Sequence, residues 1–234
     1  MTDRRWERIT AGAGLAAVLL CLAGLMGWVN PQYDDPLSSV TNSYVHHAHQ
    51  VYRSQFFFLL FGIALLTWTA GLRAILERGV GETHVLPTFA FGAGVINAVW
   101  MMIWATVNGG LALVAGQLTG SDIRLAIGIE SVVDFFTGLS FGLVALTAAL
   151  AMFETRTFSR WIRWLGAVSG ALCITGDVGL IDPTGPLGNA GFVGFVGQIL
   201  FLAWLIIVGV SLLRRSPVAM HIQEAPMHAE HVAV

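Results

Sequence analysis

Three histidines fall within four positions in Ser43-Tyr-Val-His-His-Ala-His-Gln-Val-Tyr-Arg-Ser-Gln55: His46, His47 and His49, with Arg53 close behind. Imidazole nitrogens bind zinc, copper, iron or manganese, and they titrate near neutral pH. Farther along, Glu130 and Asp134 lie one helical turn apart inside an apolar run, and Asp177 and Gln198 interrupt two later runs. Carboxylates in such surroundings serve as metal ligands, proton relays or partners of a buried arginine. Two metal arrangements are absent: the Glu-x-x-His of helical di-metal sites and the His-Glu-x-x-His of metalloproteases. A mixed set (His46, His47, His49 and Glu130) would suit a divalent transition metal. The alternative for the histidines is a solvated loop that responds to external pH.

The elements that position these groups are read from composition. Of 234 residues, 56% are hydrophobic and 11% charged, which is no soluble globular chain. About 20 apolar residues span about 30 Å of hydrocarbon, and six stretches qualify: Ile9–Val29, Ser54–Leu76, Pro87–Asn108, Leu125–Phe153, Leu165–Ile181 and Phe192–Leu213. Backbone groups in lipid must be paired within helices or a closed barrel, and these runs lack the alternation of barrel strands. The predicted fold is all-α: a bundle of six transmembrane helices over residues 1–215 and a disordered cytoplasmic tail over 216–234.

Arginine placement orients the bundle. Arg4, Arg5, Arg8, Arg73, Arg78, Arg156, Arg160, Arg163, Arg214 and Arg215 fall on one set of ends, and only Arg53 and Arg124 on the other. Both termini are therefore expected in the cytoplasm. The first run lacks a small-x-small cleavage site and reads as a retained helix. Asn42 or Ser43 would cap a helix running through the histidines into the second span, with His46, His49, Gln50 and Arg53 on one face.

With about 1.5 Å of rise per residue, Glu130 and Asp177 each lie roughly 8 Å below the outer ends of their spans, and Asp134 roughly 14 Å. Gln55, Asn108 and Gln198 also belong to the outer half. An outward-opening polar cavity, closed on the cytoplasmic side, is the expectation. In the third span Asn97, Trp100, Trp104 and Asn108 form one stripe, an interhelical seam or a ligand wall. The candidate ligand-binding residues are Arg53, Trp100, Trp104, Asn108, Glu130, Asp134, Asp177 and Gln198.

Several classes are disfavoured. All twelve basic residues are arginine, so Schiff-base chemistry has no lysine. Intramembrane haem has no histidine within a span, and the nucleophile elbow Gly-x-Ser-x-Gly is missing. A net charge of −2 without a basic cluster disfavours nucleic acid as a partner. Cys21 and Cys173 read as packing residues in separate runs.

The opening Arg5-Trp-Glu-Arg-Ile-Thr-Ala-Gly-Ala-Gly14 resembles the start of a group of bacterial, largely actinobacterial, six-helix integral membrane proteins of unknown function. Ser159-Arg-Trp-Ile-Arg-Trp-Leu-Gly166, Asp182-Pro-Thr-Gly-Pro-Leu-Gly188 and Leu213-Arg-Arg215 are similar to it as well. The resemblance implies a multi-pass protein of the bacterial inner membrane and carries no activity. Three functions stay open on the residues. One is an accessory or binding protein for a small molecule or ion in the lipid bilayer. Another is a proton-coupled transporter, and the third is a metal-dependent membrane enzyme acting at the outer face.

Overall fold

The computed structural model describes residues 3–27, 35–80, 85–178 and 191–214. Within them the chain forms seven helices: α1 (Asp3–Leu25), α2 (Leu37–His46), α3 (Ala48–Val80), α4 (Val85–Val114), α5 (Gly120–Thr155), α6 (Arg160–Val178) and α7 (Gly191–Arg214). Five are long and apolar enough to cross a membrane: α1, α3, α4, α5 and α7. The helix α6 is not among these five: Arg160, Arg163 and Asp177 dilute its apolar run, and the end of the expected Leu165–Ile181 span lies outside the described residues. The expected tail over 216–234 and the stretch Asp182–Gly188 lie outside the described residues.

Six of the helices close a ring in chain order. The helix α1 packs on α3, α3 on α4, α4 on α5, α5 on α6, α6 on α7, and α7 returns to α1. Across the ring, α5 also touches α3 and α7. The shared core gathers Phe61, Leu65, Trp68, Val144, Ala148, Met152, Phe201 and Trp204. Lipid is as apolar as leucine, so helix association in a membrane depends on close packing and small residues rather than on hydrophobic burial. The seam between α5 and α6 follows that rule. A Cβ on Gly142 would stand 2.9 Å from the Gly170 carbonyl oxygen, so the two backbones touch where only hydrogen fits.

The short α2 lies outside the ring and covers one end of α4 and α5. Val40, Tyr44, Leu111, Ala115, Ile123 and Ile127 form a separate apolar cluster there. Pro36 occupies its N-cap position and the helix is already regular at Asn42 and Ser43, so neither residue caps it. The helix ends at His47 (φ −111°, ψ 17°), and α3 starts at the next residue. The expected continuous helix is therefore interrupted at His47, although His46, His49, Gln50 and Arg53 all remain exposed. Thr119 and Asp122 form a capping box that starts α5, where an acidic residue also suits the positive end of the helix dipole.

Candidate functional site

Two polar constellations occupy the ring, both organised by α5. The first surrounds Glu130, which is buried. Trp104 Nε1 donates to its Oε1 at 3.0 Å, and Asn108 Nδ2 donates to the same oxygen at 3.2 Å. Tyr44 of α2 donates its hydroxyl to Asn108 Oδ1 at 3.2 Å, which ties the outer helix to the carboxyl through one amide. Burial, and secondarily the nearby Glu130, pushes the Tyr44 phenol above its ordinary value, so it stays protonated as a donor. All these partners are neutral, and each is itself anchored: Asn108 Nδ2 also reaches the Trp104 carbonyl at 3.2 Å.

The α4 stripe is accordingly a seam with α5. Asn97 donates to Ser140 at 2.7 Å, and Trp100 stacks on Phe136 with centroids 4.7 Å apart. Spacings of three and four put these residues on one face, and polar atoms on such a face in lipid must find donors or acceptors on the facing helix.

The second constellation begins one turn farther along α5. Asp134 is exposed on a cavity of about 120 Å³ in the middle of the ring. Asp177 of α6 is half-buried and rests on Gly138: a methyl group there would lie 2.7 Å from Oδ1 and 2.9 Å from Oδ2. Asp177 stands within Coulombic reach of Asp134. Its Oδ2 is buried and has no hydrogen-bond partner among the described residues. Gly138, four residues beyond Asp134, is what admits the second carboxylate, because any side chain would occupy its place.

The cavity wall comes from α1, α3, α4, α5 and α7. Its polar groups are Asp134, Thr137, Gln198 and Cys21, and Trp104 contributes its ring. The rest is apolar, chiefly Phe58, Phe61, Phe141, Phe195 and Phe201. The cavity was expected to be polar; it is instead an aromatic chamber with a few polar groups. About 10–15 Å³ accommodates one water, so the chamber holds several waters or one small organic molecule. Cys21, near the end of α1, and Gln198, near the start of α7, place it toward the end of the ring that α2 covers.

The remaining candidates fall elsewhere. His46, His47 and His49 are exposed, and His47 Nδ1 lies 3.1 Å from the Ser43 carbonyl oxygen. Among the described residues no group of three or more His, Cys, Asp or Glu side chains is placed to hold a metal ion. The imidazoles and Glu130, expected as one donor set, are therefore not assembled into a site: Glu130 is turned into the α4 seam and the imidazoles face outward. Arg53 is exposed on α3, and Trp100 lies in the seam rather than in the chamber wall. A carboxyl in the other half of the ring, Glu7 of α1, is buried too, so the polar asymmetry is less complete than the sequence indicates.

Sequence reasoning missed Tyr44 as a partner of the Glu130 network, the aromatic chamber wall, and the seat of Asp177 on Gly138. Only the last left a signal, a glycine one turn beyond an acid in a span. Comparison with family models, curated proteins and solved structures finds no match to this chain. The site's chemistry therefore rests on its own geometry.

Proposed function

We propose that this is a six-span membrane protein, both termini cytoplasmic, that binds a small ligand in the chamber beside Asp134. The arginine distribution supports the orientation, and α6, packed between α5 and α7, supplies the sixth span in this reading. The resemblance noted above would set it in a bacterial inner membrane. The observation that carries the ligand reading is the contrast between two acids on one helix. Glu130 accepts two hydrogen bonds from neighbouring side chains, whereas Asp134 opens on empty space and lies within Coulombic reach of a second carboxylate that has an unpaired oxygen. A carboxylate at mid-bilayer costs about 2.5–3.5 kcal/mol on insertion scales. A second one near Asp134 adds to that cost, and a ligand in the space that Asp134 lines would offset it.

A second reading, proton-coupled transport, is favoured by the Asp134–Asp177 pair. Such a pair can take up a proton when the chamber is empty and release it when a cation enters. The histidines have no part in either reading.

Cys21 in the chamber wall makes the proposal testable. In a Cys173→Ala variant, a membrane-impermeant methanethiosulfonate added to right-side-out vesicles should block later labelling of Cys21 by N-ethylmaleimide. Blocking only in inside-out vesicles, or none from either side, would contradict an outward-opening chamber.

A further inference from the structure

The chamber's wall chemistry specifies a ligand class, and this step rests on the binding function proposed above. Among the described residues its lining includes Asp134 and no arginine or histidine, while the chain has no lysine at all. An anion would find no counter-charge there and would meet a carboxylate. A bare inorganic cation would need several oxygen ligands to replace its water. The wall offers Asp134, Gln198 and Thr137 against six aromatic rings: Phe58, Phe61, Trp104, Phe141, Phe195 and Phe201.

The rings themselves point the same way. Phe58 and Trp104 meet edge to face with centroids 4.9 Å apart. Phe61–Phe141 and Phe141–Phe201 are tilted at 5.6 Å and 5.5 Å. Phe58, Phe61, Trp104 and Phe201 are packed in the core, so the rings that offer accessible surface to the chamber are the partly exposed Phe141 and the exposed Phe195. Aromatic faces carry negative charge density and attract a poorly hydrated cation, most strongly where water is excluded. A carboxylate in a wall otherwise made largely of aromatic and aliphatic side chains is a composition that suits an alkylammonium group, with Gln198 able to orient a hydroxyl or carbonyl on the same molecule.

We propose that the chamber binds a small organic cation, an amine or quaternary ammonium compound, with Asp134 as its counter-charge and the aromatic rings as its cage. The ammonium group comes either from a free solute or from a lipid headgroup.

The test compares two reagents of opposite charge at Cys21 in the Cys173→Ala protein. After normalisation to their rates with a small free thiol, trimethylammonioethyl methanethiosulfonate should react at least about tenfold faster than its sulfonatoethyl analogue, the factor that about 1.4 kcal/mol of preference gives. Asp134→Asn should reduce that ratio severalfold and Asp134→Glu should keep it. Equal rates, or a faster sulfonate, would overturn the proposal. An arm without any change at Asp134 uses choline and its neutral isostere 3,3-dimethylbutan-1-ol as protectants of Cys21 against N-ethylmaleimide. Choline alone should protect. Equal protection by both would refute the cation while leaving a ligand chamber standing, and a Cys21 that no reagent reaches would refute both. Slower labelling in liposomes containing phosphatidylethanolamine than in phosphatidylglycerol alone assigns the ammonium to a lipid headgroup. An unchanged rate assigns it to a free solute.

Discussion

Glu130 and Asp134 have the same functional group and lie one turn apart on the same helix, yet their surroundings differ. Glu130 is enclosed by Trp104 and Asn108, with Tyr44 behind them holding α2 in place. Asp134 stands at the edge of a chamber, with Asp177 across Gly138 and aromatic rings opposite. The difference shows that an acid inside a membrane is not by itself a functional residue. What distinguishes the two is whether the lone pairs are already taken. Glu130 is bonded between the ring and its outer helix; the proposed function gives the bonding capacity of Asp134 to a ligand.

The comparison can be broken most severely at the seam that brings Asp177 to Asp134. Gly142→Leu would push α6 off α5, because even a Cβ meets the Gly170 carbonyl oxygen at 2.9 Å. A loss of about 3 kcal/mol or more is expected from overpacking of this kind, visible as loss of the monodisperse peak in size-exclusion chromatography. Next comes Glu130→Leu, which leaves Trp104 Nε1 without that acceptor and strips one from Asn108. Each buried hydrogen bond removed costs about 0.5–1.5 kcal/mol, more when the acceptor is charged, so its melting temperature in detergent should fall clearly. Asp134→Leu should leave melting unchanged or raise it, since it removes a poorly compensated carboxyl from the bilayer. If the two substitutions destabilise equally, the contrast between the acids is wrong.

Tyr44→Phe sharpens the same contrast at smaller scale, costing about 0.5–1.5 kcal/mol for one hydrogen bond. It also has a pH signature. The phenol's folded-state value is raised by burial, above the roughly 10 of an unfolded tyrosine. Its stabilising contribution is thus complete below about pH 10 and is lost as pH climbs beyond that toward the folded value. The native protein should lose stability more steeply above about pH 10 than Tyr44→Phe does. The smallest effect belongs to the triple change of His46, His47 and His49 to alanine. Those side chains are exposed, so melting should move by no more than about 0.5 kcal/mol and Cys21 labelling should not change.

Much of this architecture is legible in the sequence because lipid imposes it. Long apolar runs must be helices, and α1, α3, α4, α5 and α7 are where the runs are. The polar stripe Asn97–Asn108 is legible as one face of one helix because its period is that of the α-helix. Which helix it would face was not, since periodicity names a face and not its neighbour. The division of labour between Glu130 and Asp134 was equally hidden. One turn of helix places both acids toward the bundle, and only the packing of α2 and the gap at Gly138 separates their roles. The histidines were misleading for the opposite reason: close spacing in sequence shows that side chains are near one another, not that carboxylates lie beneath them. His47 marks the break between α2 and α3 instead.

The central claim is that Asp134 takes part in binding and Glu130 in holding the fold together. It is tested most directly by the choline-dependent shift in melting temperature of three purified proteins: native, Glu130→Gln and Asp134→Asn. A ligand that binds only the folded state raises melting in proportion to its occupancy. The account predicts a lower starting temperature but an undiminished shift for Glu130→Gln, and a normal starting temperature with no shift for Asp134→Asn. The reverse pattern, with the shift lost at Glu130 and kept at Asp134, would contradict it.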